Sequence, residues 1–376
     1  VTRYALYRNF FDPYQREWKN GNSRWDIMDM LRLTRALRPE GIEWPDHEPG
    51  RPSFKLEHLT AANGLAHEAA HDALSDVTAT IAVAKLVKDK QPRLFDYVVN
   101  MRSKKAVGEM LNLSDRRPFF HISGMLPRAH MYGAIMMPLA QHPTNSNGII
   151  CIDLSFDPEV LIKLSPEEIA HRVFTSSEAL GDNEARIPLK VVHINKTPVV
   201  TTHKLIDEAA AKRLDIDVQR CELHWQRLSQ INFSSKLAAV FNSQSFPEKP
   251  EAEQRLYNGF LPNGDKHLLE EVRQASCEDL TDHRFHFSDE RYNQLLFSYR
   301  ARYFNDSLSD QERSVWTENC RWRLTDEKSG YLTMEQQGAE IAQLLAGEGL
   351  SVEKIAILES LKGWAAQVND EFSLSN

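Results

Sequence analysis

The spacing of apolar residues changes twice along this 376-residue chain, and those changes constrain its fold most strongly. Up to about Gln91, apolar residues recur three or four positions apart, as on the buried face of a helix. From about Pro92 to Phe241, short apolar or alternating runs are separated by Gly, Pro and Asn, which is typical of strands. Beyond Phe241 the helical spacing returns. The sequence therefore predicts an α+β protein of several domains.

Capping residues mark several helix starts. Ser165-Pro166-Glu167-Glu168 combines an N-cap Ser with Pro at the first helical position and a Glu that closes a capping box. Asp72 is a good N-cap for a helix that starts at Ala73. Further caps are predicted in the last third of the chain, at Ser288, at Ser309 with Glu312, and at Thr333 with Gln336.

Apolar stripes are predicted on two of these helices. The helix from Ala73 to about Lys88 carries its stripe at Leu74, Val77, Ile81 and Ala84. The last helix of the chain carries its stripe at Ile357, Leu361, Trp364 and Val368.

The polar stretch 244–253 contains two prolines and is typical of a linker. We therefore predict four segments: a helical part in 1–91, a mostly β domain in 92–243, a linker in 244–253 and a helical domain in 254–376. The net charge of −8 means that any nucleic-acid role needs a local basic surface. Four scattered cysteines without a C-x-x-C pair favour a reducing, cytoplasmic compartment, and no apolar run is long enough to span a membrane.

Residues His67 to His71 match the zinc-protease pattern H-E-x-x-H. Such a site needs a third ligand. The extended form of the motif requires Gly where this chain has Leu74, and no Glu occurs between Glu68 and Glu109. We therefore reject a zinc protease.

His71 and Asp76 have a second spacing, five residues, that occurs in nucleases. The predicted cap puts His71 just outside the helix and Asp76 in its first turn, beside small residues that leave room for a metal ion and a phosphate. A His that accepts a proton from water, next to an Asp that holds a divalent ion, can hydrolyse a phosphodiester. The alternative is a surface His and an exposed helix Asp, and spacing alone favours that alternative.

Longer blocks of sequence decide between a nuclease site and this alternative. "NSRWDIMDMLRLTRALRPEGIEWP", "AHDALSDVTATIAVAKLVKDKQPRLFDYV" and "LGDNEARIPLKVVHINKTPVV" resemble successive blocks of bacterial exodeoxyribonuclease I, and the resemblance covers essentially the whole chain. That family degrades single-stranded DNA from the 3′ end in DNA repair and recombination. It joins a ribonuclease-H-like (DnaQ-like) exonuclease domain, an SH3-like β domain and a C-terminal helical domain, and we expect the first of these to be partial here.

The resemblance implies roles for both motif residues. His71 matches the general base, and Asp76 matches one ligand of two Mg²⁺ ions, with Mn²⁺ as a further candidate. The family's D-x-E and one further Asp lie upstream of the position that matches Val1. We therefore expect a chain that is N-terminally truncated relative to the family and inactive by itself. The alternative is a non-catalytic module that binds single-stranded DNA or a partner protein.

The resemblance also implies DNA contacts by Arg3 and Arg32, and Trp25 lies among these arginines. Arginines with interleaved aromatic residues suit single-stranded DNA, through phosphate contacts and base stacking. Solvated helix arginines and a core tryptophan explain the same residues equally well.

A further implied partner is the acidic C-terminal tail of single-stranded DNA-binding protein. A tail that ends in a carboxylate beside an apolar side chain needs a cation next to an apolar pocket. Arg38 and Tyr97 match positions in that pocket, and Arg227 is a looser third match. Tyr97 is equally consistent with a core aromatic residue. The resemblance also implies a monomer.

Overall fold

A computed structural model describes residues 1–48, 51–67, 72–181, 184–242, 249–281, 285–347 and 349–374, with only the backbone of Arg51. The chain forms two compact units. We call Ser23–Ser245 the sheet unit, and Val1–Asn22 with Phe246–Asn376 the helical unit.

The helices are α1 (Thr2–Arg8), α2 (Ile27–Leu37), α3 (Leu56–Ala62), α4 (Ala73–Lys90), α5 (Pro92–Asn100), α6 (Lys104–Met110), α7 (Pro158–Lys163), α8 (Pro166–Phe174), α9 (Glu208–Leu214), α10 (Val218–Ser229), α11 (Ser234–Asn242), α12 (Leu268–Gln274), α13 (Cys277–Thr281), α14 (Glu290–Tyr303), α15 (Asp310–Thr325), α16 (Met334–Leu345) and α17 (Val352–Glu371). The strands are β1 (Asp46–Glu48), β2 (Arg51–Pro52), β3 (Phe119–Ile122), β4 (Gly133–Gln141), β5 (Gly148–Asp153), β6 (Leu189–His193) and β7 (Val199–Thr202).

The sheet unit is built around a five-stranded antiparallel sheet in the order β6-β5-β4-β3-β7. Alternate residues of the strands face two separate cores, as the period of a strand requires. Phe120 and Ile150 belong to one core, whereas Phe119 and Cys151 belong to the other. Both faces of the sheet are therefore covered, and the predicted strands are confirmed.

Helix α4 begins where the sequence predicts, with the Asp72 carboxylate accepting the Ser75 backbone N–H at 3.0 Å. It buries Ala79, Val83 and Val87. The predicted apolar stripe is not this packed face: its residues Leu74, Val77 and Ile81 are 74%, 56% and 51% exposed. Within the described residues, α4 thus has one packed apolar face and one that is open to water.

The prediction of a mostly β region from Pro92 to Phe241 was wrong at both of its ends. Helices α5 and α6 precede the sheet, and α9, α10 and α11 follow it. The carboxylates of Asp207 and Asp217 accept backbone N–H groups at the first turns of α9 and α10. These N-caps are helix start signals that the apolar pattern does not contain.

The helical unit has its own core. The Tyr7 hydroxyl of α1 donates to the Ala252 carbonyl at 2.9 Å, and Tyr7 and Phe10 pack with Phe287 and Tyr292. Segment 251–253, the end of the predicted linker, is part of this unit, whereas residues 243–248 lie outside the described residues.

Buried ion pairs hold that segment. Glu253 pairs with Arg302 and, at 3.3 Å, with Arg323. Arg323 also pairs with Glu251 at 2.9 Å.

Most predicted caps are confirmed. Ser165 with Glu168, Ser309 with Glu312, and Thr333 with Gln336 form complete capping boxes. The cap at Ser288 was wrong. Asp289 caps α14 instead, and the Ser288 hydroxyl donates to the buried Asp265 carboxylate at 2.7 Å.

Helix α17 is confirmed, although of its predicted stripe only Val368 is buried. No helix in the described ranges is long and apolar enough to cross a membrane.

Candidate functional site

Asp76 lies in the first turn of α4, where the helix dipole favours a negative charge. Its Oδ1 atom accepts a hydrogen bond from His67 Nε2 at 2.9 Å. The His67 side chain is only 5% exposed, whereas that of Asp76 is 43% exposed. The carboxylate is therefore oriented by a buried group while part of it remains accessible to solvent.

His67 belongs to the rejected zinc motif, and the sequence analysis gave it no other role. Because an ionised carboxylate only accepts hydrogen bonds, His67 Nε2 must carry a proton. The other ring nitrogen, Nδ1, lies 3.4 Å from the Thr60 hydroxyl, which also contacts the Leu56 carbonyl at 2.9 Å. A separation of nine residues is not a helix or strand repeat, so the sequence contained no signal for this pair. His71, the predicted general base, lies outside the described residues.

The chemistry of Asp76 suits a divalent metal ion. A carboxylate oxygen is the ligand type that Mg²⁺ prefers, and Mg²⁺ sites commonly use one or two carboxylates together with substrate phosphates. Asp76 therefore fits one position in the coordination shell of such an ion. Within the described ranges, no group of three or more His, Cys, Asp or Glu side chains is arranged to hold a metal.

Arg32 lies on α2 in the sheet unit, with its guanidinium 4.4 Å from the centre of the Tyr132 ring. Arg32 Nη1 donates to Asp29 Oδ1 at 2.5 Å. Burial raises the pKa of Asp29, against the opposing effect of the hydrogen bond from Arg32. The aromatic ring and the carboxylate together fix the direction of the guanidinium, as a phosphate contact requires.

The other two predicted DNA contacts have different surroundings. Trp25 packs edge-on against Phe95, with ring centres 5.5 Å apart, and it borders the larger core of the sheet unit. Arg3 belongs to the helical unit, where it donates to Glu17 at 2.5 Å and lies 5.1 Å from the centre of the Tyr14 ring. Arg32 and Trp25 thus share one unit, and Arg3 lies in the other.

The three residues predicted to bind a partner tail all lie in the sheet unit. Arg38 follows α2 and contacts Asp207 at 3.5 Å, and Arg227 donates to Glu159 at 2.9 Å. Tyr97, on α5, is half-buried, and this burial raises the pKa of its hydroxyl. The Tyr97 hydroxyl lies near the Thr201 hydroxyl. Neither oxygen has a hydrogen-bond partner of normal geometry among the described residues. Both arginines therefore contact carboxylates with which an acidic tail would compete.

Comparison with known protein families identifies two regions of the chain. Residues 102–243 match the Exonuclease I SH3-like domain, and residues 250–368 match the Exonuclease I C-terminal domain. The exodeoxyribonuclease I of Haemophilus influenzae is 40% identical over 364 residues, which cover 96% of this chain and 76% of that protein. The Escherichia coli exodeoxyribonuclease I is 39% identical over 370 residues, 98% of this chain and 77% of the relative.

Solved structures agree with these matches. An exonuclease I from Methylocaldum szegediense superposes with a TM-score of 0.91 at 42% identity, over 98% of this chain and 77% of that one. The E. coli exonuclease I in complex with a dA16 oligonucleotide superposes with a TM-score of 0.91 at 39% identity, over 98% of this chain and 78% of that one. An ExoI/SSB-Ct complex superposes with a TM-score of 0.87 at 38% sequence identity, over 99% of this chain and 77% of that one.

The covered sheet, the helical unit and the two matched domains define an α+β multidomain protein of the nuclease class. The chain belongs to the exodeoxyribonuclease I family, whose members are hydrolytic exonucleases. The resemblance and the fold class inferred from the sequence are thereby confirmed.

Proposed function

We propose that this chain carries part of a metal-dependent 3′→5′ exonuclease site for single-stranded DNA, acting in DNA repair and recombination. The observation that carries the proposal is Asp76, held by buried His67 on the first turn of α4. It lies in a chain matched over 98% of its length to an exonuclease I solved with a dA16 oligonucleotide.

His71 is the general base, which takes a proton from the attacking water. Asp76 is one carboxylate ligand of a pair of Mg²⁺ ions, with Mn²⁺ as a substitute. When bound, such ions lower the pKa of water and neutralise charge on the phosphate. His67 does not touch DNA in this proposal, and its N–H keeps the Asp76 carboxylate in one orientation.

The chain as given binds DNA without cutting it in this proposal. Two ions close together need several carboxylates, and within the described residues Asp76 is not part of any group of three or more His, Cys, Asp or Glu side chains arranged to hold a metal. The second candidate, a non-catalytic binding module, is favoured by Arg32, which Tyr132 and Asp29 hold in a fixed direction without any need for metal.

Incubation with a 5′-labelled single-stranded oligonucleotide and Mg²⁺, read on a denaturing gel, tests whether the chain cuts the DNA that it binds. We expect the oligonucleotide to be bound and to keep its length. Shortening from the 3′ end that is lost in both His71→Ala and Asp76→Asn would overturn the inactivity and support the catalytic roles. Shortening that survives both substitutions would indicate a contaminating nuclease.

We also propose that Arg38, Tyr97 and Arg227 bind the acidic C-terminal tail of single-stranded DNA-binding protein. A terminal carboxylate can displace Asp207 from Arg38 or Glu159 from Arg227, because each cation has an exposed carboxylate partner. A related ExoI/SSB-Ct complex supports this assignment.

Anisotropy of a fluorescent tail peptide tests the partner site. We expect Arg38→Ala to weaken binding on the order of tenfold, as for loss of a charged hydrogen bond. Arg313→Ala, on an exposed arginine of the helical unit, should leave the affinity unchanged. Equal affinities for the two variants would rule out Arg38.

We further propose a monomer in the cytoplasm, with the domain boundaries expected from the sequence, near residues 91 and 243. Four free cysteines support a reducing compartment.

A further inference from the structure

Five Asn-Gly pairs occur in the chain, and the proposed function uses none of them. They begin at Asn20, Asn63, Asn147, Asn258 and Asn263. In such a pair the backbone nitrogen of the glycine can attack the side-chain carbonyl carbon of the asparagine, because glycine has no Cβ to block the approach. The surroundings of each pair decide whether this reaction occurs in the folded protein.

The reaction forms a bond between the glycine nitrogen and the asparagine Cγ and breaks the Cγ–Nδ2 bond. The glycine nitrogen loses its proton, and Nδ2 leaves as ammonia. The cyclic imide that remains then adds water at either of its carbonyl groups, which gives aspartate or isoaspartate. Water is therefore the only co-reactant. The attack requires rotation about the Cα–C bond of the asparagine, so contacts that hold the pair in place slow it.

Two of the pairs are held firmly. The Asn63 side chain donates to the Glu43 carbonyl at 2.8 Å and accepts the Glu43 N–H at 2.9 Å. Gly148, which follows Asn147, is buried in strand β5 and donates its N–H to the Asn145 carbonyl at 2.9 Å. Rotation would break these hydrogen bonds, so Asn63 and Asn147 are protected in the native protein.

The pairs at Asn258 and Asn263 are exposed, but their backbone is anchored. The Gly259 carbonyl accepts a hydrogen bond from Arg291 at 3.2 Å. Asp265, the second residue after Asn263, has a buried carboxylate that accepts a hydroxyl hydrogen bond at 2.7 Å. Rotation within either pair would therefore disturb contacts of the helical unit.

The pair Asn20-Gly21 has neither kind of restraint. Both residues are exposed, and the Asn20 side chain makes no hydrogen bond to any residue within the described ranges. A Cβ added to Gly21 would meet no atom within 4 Å. The short helical turns Gln15–Glu17 and Lys19–Gly21 contain no buried residue. A segment without buried contacts opens locally at little cost in free energy.

We propose that Asn20 is a site of deamidation through a cyclic imide in the folded protein, and that it reacts before the other four asparagines. The product carries aspartate or isoaspartate at this position, which adds a negative charge to an exposed turn that contains Lys19. The inference does not depend on the proposed binding of DNA.

Incubation of the full chain in alkaline buffer, followed by peptide mapping with mass spectrometry, tests the proposal. We expect the Asn20 peptide to gain the mass that corresponds to replacement of NH by O, with isoaspartate and aspartate both present. The Asn63 and Asn147 peptides should keep their mass. The variant Asn20→Gln should also keep its mass there, because the longer side chain does not readily form this ring. Conversion at any other pair before Asn20, or a product without isoaspartate, would overturn the proposal.

The same incubation in guanidinium chloride is the control for the effect of structure. All five pairs should react there, because unfolding removes the contacts that hold four of them. A rate at Asn20 that is similar in the native and unfolded chains supports the proposal. Reaction of Asn20 only in the unfolded chain would overturn it, because the native turn would then restrain this pair as well.

Discussion

His67 is the residue that the sequence analysis undervalued most. It is the first residue of the H-E-x-x-H match that was rejected as a zinc site. Its side chain is buried, and its Nε2 atom donates a hydrogen bond to Asp76. We expect His67→Leu to fill the space without donating and to cost about 1 kcal/mol, or a Tm decrease of about 2–4 °C. His67→Gln keeps an N–H near the same place and should recover part of that loss. Thermal unfolding that ranks Leu equal to Gln would mean that the hydrogen bond does not hold Asp76.

His121 gives the sheet unit a pH-dependent stability. It lies buried on β3, and burial lowers its pKa to about 4, against the hydrogen bond that its Nδ1 donates to the Val199 carbonyl at 2.9 Å. Between pH 6.5 and about 4 the unfolded chain therefore binds a proton that the native protein does not. The contribution of the neutral His121 to the free energy of unfolding is fully present above pH 6.5. It falls by roughly 3 kcal/mol as the pH drops towards 4.

The variant His121→Asn keeps a donor for the Val199 carbonyl but cannot titrate. We expect urea unfolding of this variant to depend less steeply on pH between 4 and 6.5 than that of the wild type. His267→Asn, on an exposed histidine, should leave the slope unchanged. A His121→Asn slope equal to that of the wild type would contradict a neutral buried His121.

At the scale of the element, α4 has two apolar faces with opposite energetic roles. Val83 is 1% exposed and packs in the larger core, whereas Val77 on the same helix is 56% exposed. We expect Val83→Ala to lower the free energy of unfolding by about 2 kcal/mol, through lost burial and a cavity. Val77→Ala should change it by less than about 0.5 kcal/mol. Denaturant unfolding checks both values, and similar losses would place Val77 in a packed interface.

The elements show which local signals a sequence contains. The strands and the capping boxes at Ser165, Ser309 and Thr333 were predictable, because their determinants lie within a few residues of one another. Helices α9 and α10 were missed although Asp207 and Asp217 cap them, because apolar spacing was given more weight than caps. The His67–Asp76 hydrogen bond joins the segment before α4 to the first turn of that helix, so no local pattern could reveal it.

At the scale of the whole molecule, the ion pairs of Glu253 with Arg302 and Arg323 hold the helical unit together. Glu253→Gln leaves two partly buried cations, Arg302 and Arg323, without full compensation. We expect a loss of about 3 kcal/mol, confined to the helical unit. Hydrogen exchange should show faster exchange in residues 1–22 and 249–374 and unchanged rates in the sheet unit.

Glu359→Gln is the matched control, because Glu359 and Lys362 form an exposed pair at 3.0 Å. Its effect should stay below about 0.5 kcal/mol. Faster exchange throughout the chain in Glu253→Gln would contradict two independently stabilised units.

The family was predictable from the sequence alone because long blocks of residues match in order. The division into units was harder to predict, because α1 packs against Ala252, far away in the sequence. A sequence pattern reports neighbours along the chain, and this contact joins residues 245 positions apart.

The most direct test of the account is the affinity of this chain for a labelled single strand and for a duplex of the same sequence, measured at several salt concentrations. The account predicts preferential binding of the single strand. It also predicts that Arg32→Ala lowers the salt slope by about 0.7, as for one lost phosphate contact. Arg313→Ala should keep the wild-type slope. Equal affinity for both DNAs, or an Arg32→Ala slope equal to that of the wild type, would contradict the account.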